Sequence, residues 1–165
     1  MAEPAVRAVV GPADPARFLR ELSRHRDRDL NGVEDNPMVT REQIEQIYRE
    51  LQPHFVSTAD IDGYSDMFTR DGVWWPLGRE TRIGPRQIRE GFAELTRGCR
   101  FEPVFEAMEI HVSGQTGSAA LHGTVTIVFD NGDPTQVVHS REIWEFREED
   151  GTTKISRMLW NQAPS

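Results

Sequence analysis

Between residues 40 and 98 the apolar positions recur every three or four residues, and between 101 and 161 they alternate. That change of period divides the chain into a helical first part and a strand-rich second part. Thr40 with Gln43 reads as a capping box, and Ile44, Ile47, Tyr48, Leu51 and Phe55 then form one helical stripe. Tyr48 lies inside that stripe, so its hydroxyl needs a partner, either backbone or a bound molecule. Asp60 caps a second expected helix running through Met67 and Phe68, and Asp71-Gly72 turns the chain into a short strand, Val73 to Pro76. Gly84-Pro85 opens a third helix with Ile88, Phe92 and Leu95 on its apolar face, and Gly98 ends it.

Strand-like runs follow at 101–112, 117–129, 135–147 and 152–161, with turn signals at Ser113-Gly114, Asn131-Gly132 and Glu148-Glu149-Asp150-Gly151. Three helices followed by a mostly antiparallel sheet define an α+β domain in which a curved sheet wraps around helices to form a cone. The hairpin from Val137 to Asn161 carries the most informative pattern. Ser140, Glu142, Trp144 and Phe146 share one face of its first arm, which sets a carboxylate among hydrophobes. Burial of that carboxylate favours its protonated form, the condition of a group that exchanges protons with a bound molecule. On the second arm Ser156, Met158 and Trp160 share a face opposite Ile155, Arg157 and Leu159. In the preceding run Ala120, His122, Thr124 and Thr126 form a small polar face, expected to line the cone beside Glu142. Leu121, Val125, Ile127 and Phe129 form the other face, expected to meet a second subunit or the core. A His and a Glu together can divide acid and base roles.

Composition narrows the field. The 165 residues fit one domain, and residues 1–38, rich in Pro, Ala, Arg and Asp, read as a flexible or partly ordered tail before a domain at 39–165. A net charge of −8 argues against nucleic-acid and anionic-membrane partners, which demand positive charge. The single cysteine, Cys99, excludes an internal disulfide framework, and no apolar run approaches a membrane span, so a cytoplasmic protein is expected. His111, His122 and His139 fall on neighbouring runs but lack ligand spacing, so no metal is expected.

Phe68-Thr69-Arg70-Asp71 before a Trp-rich strand, Gly84 with Ile88-Arg89-Glu90 and Phe92, and Glu142-Ile143-Trp144-Glu145-Phe146 with Asp150-Gly151 and Lys154-Ile155 resemble the nuclear transport factor 2-like superfamily. The nearest branches are SnoaL-like polyketide cyclases, ketosteroid isomerases and scytalone dehydratases, over residues 40 to 161. The resemblance implies a cone-shaped barrel whose pocket serves isomerases, dehydratases, cyclases and non-catalytic binders alike. It places Glu142 where these enzymes keep an acid/base or hydrogen-bonding aspartate, and Ser140 where the dehydratases contact substrate. Tyr48 falls one helical turn before the isomerase oxyanion tyrosine, with Gln52 nearer. Pro76 stands where the isomerase keeps its general base, and Arg100-Phe101-Glu102 where the dehydratase keeps a histidine, so neither of those two reactions is implied.

The expected pocket has Trp74, Trp144, Met158 and Trp160 as walls and Glu142, His122, Tyr48 and Ser140 as polar points, the first three of these as catalytic candidates. Such a pocket suits a small hydrophobic, polyketide-like substrate and a cofactor-independent cyclisation, dehydration or isomerisation. The rival expectation is a ligand-binding or assembly module, including a dioxygenase small-subunit-like role. The family resemblance further implies a homodimer through the outer face of the sheet.

Overall fold

The computed structural model describes residues 38–164; the expected N-terminal tail lies outside them. Val39 ties the first described residues to the sheet by donating to the carbonyl of Gly114 (3.0 Å). The first helical arm comprises α1 (Arg41–Gln46), a π-helical turn (Ile47–Leu51) and α2 (Gln52–Ser57). Both halves of the Thr40–Gln43 capping box are present. The buried positions here are Ile44, Ile47, Tyr48, Gln52 and Val56, whereas Leu51 and Phe55 are only half-buried. The wider π turn moves the inward stripe one residue beyond the expected α-helical positions. Gln52 thereby takes the place that periodicity assigns to Leu51.

Asp60 caps α3 (Ile61–Asp66) by accepting from the amide of Gly63 (2.9 Å). This helix ends before Phe68, because Met67 already accepts from Ile155 and begins the pairing of β1 (Phe68–Trp75) with the far end of the chain. The Asp71-Gly72 segment is an irregularity within β1: five steps from Phe68 to Val73 match two steps on the partner strand. Strand β2 (Arg82–Ile83) leads into α4 (Gly84–Leu95), which buries Ile88, Gly91 and Phe92. Four long strands follow, β3 (Cys99–Ser113), β4 (Thr116–Phe129), β5 (Gln136–Glu149) and β6 (Thr152–Gln162).

The six strands form one unclosed sheet in the order β2-β1-β6-β5-β4-β3, antiparallel except where β1 runs parallel to β6. Its concave face packs on the helices. The β5–β6 turn is reduced to Asp150-Gly151, both at positive φ (53° and 78°), as a tight two-residue hairpin requires. On β6 a bulge skips Ser156 between the pairs Phe146–Ile155 and Glu145–Arg157. Consequently Ile155 and Met158 are both buried, although strict alternation would set them on opposite faces.

Strand β4 faces the opposite way from its expected orientation. Leu121 pairs with Glu142 and points inward with Gly123, while His122 pairs with Arg141 on the exposed face. Side chains directly opposite on neighbouring strands share a face, so an inward Glu142 requires an inward Leu121. Leu121, Val125 and Ile127 therefore belong to the interior, and the exposed outer face instead carries Val104, Met108, Ile143 and Leu159. No helix among the described residues is long and apolar enough to cross a membrane.

Candidate functional site

At the centre of the concave face, β5 brings Ser140, Glu142 and Trp144 inward at alternate positions. Neighbours two apart on a strand lie about 7 Å from each other on one face, near enough for a serine and a tryptophan to reach the two oxygens of the carboxylate between them. Ser140 Oγ donates to Glu142 Oε1 and Trp144 Nε1 donates to Oε2, both at 2.7 Å. One strand thus supplies the carboxylate and both groups that orient it. Directly across from Ser140 stands Gly123, where an added Cβ would lie 2.3 Å from Ser140 Oγ and 2.9 Å from the Phe105 ring. A side chain at this position would displace the serine or the ring.

Glu142 is 6% exposed. Burial pushes its carboxyl up from 4.5 to about 7, against the opposing effect of the hydrogen bonds from Ser140 and Trp144. The group therefore carries comparable acid and base populations near neutral pH. Tyr64, fully buried in the same region, is raised well above its ordinary value by burial and then by the charge of Glu142, so it remains a hydroxyl donor. It stacks on Phe92 at 3.9 Å and points its hydroxyl at Met158 Sδ (3.5 Å).

A cavity of about 120 Å³ opens beside these groups. Its wall is mostly apolar, with Tyr64, Phe92, Phe105, Val125, Ile127 and Met158, and Glu142, Ser140, Gln52 and Trp74 provide its polar points. A wider surface depression of about 490 Å³ runs along Asp71, Glu145, Arg147 and Arg157, but there Arg147 pairs with Asp71 and Arg157 with Glu145 (3.0 Å), leaving their charges mutually occupied.

Of the residues expected from sequence, Glu142, Ser140, Trp74, Met158 and Trp160 meet in the cavity. Trp144 lies behind it, edge-on to Phe105 (5.2 Å) and bonded to Glu142. Tyr48 is fully buried away from it, accepting from Arg49 Nε (3.0 Å). His122 is on the outer face beside Arg141 and Ile143, so it cannot share a proton with Glu142 inside the cone. Tyr64, Phe92 and Phe105 complete the site without having been singled out. Tyr64 was legible in the spacing of Ile61, Tyr64 and Phe68 after the Asp60 cap. His111, His122 and His139 are each exposed, and no group of three or more His, Cys, Asp or Glu with metal-binding geometry occurs among the described residues.

An incomplete cone of sheet around helices, with a buried acid over an apolar cavity, defines a nuclear transport factor 2-like protein. The chain belongs to the SnoaL-like domain family, whose model matches residues 37–159. Comparison with curated proteins finds no match. Three solved structures show the same fold. A ketosteroid isomerase-like protein from Erwinia carotovora atroseptica is 17% identical, covering 73% of this chain and 98% of that one, with a TM-score of 0.64. Aln2 from a Streptomyces species is 19% identical over 76% of this chain and 94% of its own, with a TM-score of 0.65. The hexachlorocyclohexane dehydrochlorinase LinA-type3 from Novosphingobium barchaimii is 16% identical over 87% and 91%, with a TM-score of 0.66.

Proposed function

We propose that the protein is a cofactor-independent acid/base enzyme acting on a small hydrophobic carbonyl compound, in an isomerisation, dehydration or cyclisation. The observation that carries this reading is Glu142, a buried, doubly hydrogen-bonded carboxyl that titrates near 7 on the wall of an apolar cavity. Its ionised form removes a proton from the carbon next to the carbonyl; the C–H electron pair forms the carbon–carbon double bond of an enolate as the C=O π pair moves onto the carbonyl oxygen. The Tyr64 hydroxyl, which burial keeps protonated, donates to the developing oxyanion. Glu142, now an acid, returns the proton to another carbon in an isomerisation or to a departing hydroxyl in a dehydration. Ser140 and Trp144 hold the carboxyl through both transfers. The isomerase-like and dehydrochlorinase folds named above support a reaction of this class.

Proton abstraction next to a carbonyl is common to all three reactions and can be read without the natural substrate. In D2O, the protein is expected to speed hydrogen–deuterium exchange at the α-carbons of cyclohexanone, followed by NMR, and Glu142→Gln to slow it by about 100-fold or more. Exchange at an unchanged rate in Glu142→Gln would sink the role given to Glu142. The proposal extends to a homodimer through the outer sheet face, where Met108, Ile143 and Leu159 are exposed. Light scattering should give twice the chain mass for the native protein and the chain mass for Ile143→Glu; a native monomer refutes it.

A further inference from the structure

We infer that the cavity takes small organic ammonium ions, held by the charge of Glu142 and by the aromatic rings of its wall. This rests on the reading of the cavity as the ligand site and adds a class of ligand that the carbonyl chemistry does not require.

Glu142 has no counter-charge in the cavity. The two donors on its oxygens, Ser140 Oγ and Trp144 Nε1, are both neutral. The wall draws on α2, α3, α4, β1, β3, β4, β5 and β6, and none of the described residues that line it is an arginine, lysine or histidine. Tyr64 on α3 is its one other titratable group, and burial keeps that hydroxyl neutral. Buried carboxylates are ordinarily paired, because an isolated charge in apolar surroundings is costly. Here two hydrogen bonds favour the ionised form while burial opposes it, and a cation in the cavity would tip that balance towards the carboxylate.

The wall supplies the other half of the interaction. Tyr64, Phe101, Phe105 and Trp160 are its aromatic contribution from three separate elements. Trp160 pairs directly with Glu142 across β5 and β6. Directly paired residues share a face with Cβ atoms about 5 Å apart, so an indole stands beside the carboxylate. Trp160 is half-buried, which makes it the more accessible of the pair. An aromatic face attracts a cation through its quadrupole, most strongly where water is excluded.

Ion pairs inside proteins often gain little, because both partners give up their water. In this site the carboxylate has lost its water on folding, so only the hydration of the cation opposes binding. A quaternary ammonium, whose methyl groups spread the charge, is the form that aromatic sites suit best. It needs no hydrogen bond from Glu142, whose two oxygens each accept one already, because its charge acts through space. Size agrees, since about 120 Å³ is close to the roughly 150 Å³ engineered void that takes benzene. The net charge of −8 on the chain favours the approach of a cation over that of an anion.

The test compares three probes of one shape and different charge: choline, its neutral isostere 3,3-dimethylbutan-1-ol, and the anion 3,3-dimethylbutanoate. Binding to the native protein is followed by calorimetry and ligand-observed NMR at pH 5 and pH 8. At pH 8 choline should bind about tenfold more tightly than the alcohol, and the anion should bind most weakly. Choline should weaken at least tenfold at pH 5, where Glu142 is protonated, and the alcohol should not. The charge of choline is constant over this range. Glu142→Gln should abolish the pH dependence and most of the advantage of choline, and Trp160→Leu should weaken choline more than the alcohol. Every other titratable group is common to the native protein and Glu142→Gln, so a pH dependence lost in the variant belongs to Glu142. Choline binding no tighter than the alcohol at pH 8, or tighter by the same factor at both pH values, overturns the inference without any variant. A pH dependence that survives in Glu142→Gln overturns it as well. Cation preference without proton exchange on cyclohexanone upholds this inference and refutes the acid/base reading. Exchange without cation preference does the reverse.

Discussion

Replacing Glu142 by glutamine separates the cost of burying its charge from every other pH effect in the protein. In the folded chain the carboxyl titrates near 7, against 4.5 for the ordinary group. Between those two values the folded state holds a proton that the unfolded state has released, so stability is full below about pH 4.5 and declines as pH rises to 7. Each pH unit in the window costs about 1.4 kcal/mol, and the whole window about 3 kcal/mol. Glutamine keeps the shape of the neutral acid, can accept from Trp144 Nε1 and can donate to Ser140 Oγ, but it does not ionise. Native and Glu142→Gln proteins should therefore be equally stable near pH 4, and the variant should be the more stable above pH 7, by about 3 kcal/mol. In a domain of this size that is roughly 6–12 °C in Tm. Urea unfolding of both proteins at half-unit steps from pH 4 to 8 gives the difference directly, because histidines and surface carboxylates cancel between them. A difference that does not change with pH, or one that favours the native protein as pH rises, refutes the picture of a carboxyl strained by burial.

Trp144→Phe removes a donor that favours the ionised carboxyl; it should raise the Glu142 pKa further, move the pH profile of proton exchange upward, and cost about 1–3 kcal/mol in urea unfolding. Ser140→Ala should shift the profile in the same direction, read by the same exchange assay. Gly123→Ala, by forcing Ser140 Oγ and the Phe105 ring aside, should cost about 1–3 kcal/mol in urea unfolding despite adding a single methyl group. His122→Ala, on the exposed face, should leave exchange unaltered and change stability by no more than about 0.5 kcal/mol.

The strands were legible because period 2 over a dozen residues admits few other structures, and Glu142 stood out as a charge on an otherwise apolar face. Orientation was harder. Reading Asn131-Gly132 as a two-residue turn and stepping nine residues out along each arm sets Leu121 opposite Glu142, the pairing observed, although the actual connection between Phe129 and Gln136 is six residues long. The register was thus encoded near the turn, while the polar look of His122, Thr124 and Thr126 pulled the reading toward the wrong face. Irregularities hid the rest. The bulge at Ser156 breaks a count that local composition leaves unmarked, and Asp71-Gly72, which reads as a turn before the strand, is an irregularity inside it. Tyr48 falls outside the cavity and Gln52 within it because five residues take a π conformation that a helical stripe does not announce.

That π turn also bears on how the chain can change over generations. A helix that closes its bonds five residues back accommodates one residue more than an α-helix spanning the same ends. Deleting one codon between Ile47 and Leu51 would let the segment revert to α geometry between the same ends, leaving the inward place of Gln52, the sheet and the Glu142 clasp intact. This turn can therefore shed one residue without turning the residues that follow it, whereas the same loss in an α-helical stretch would rotate them by about 100°.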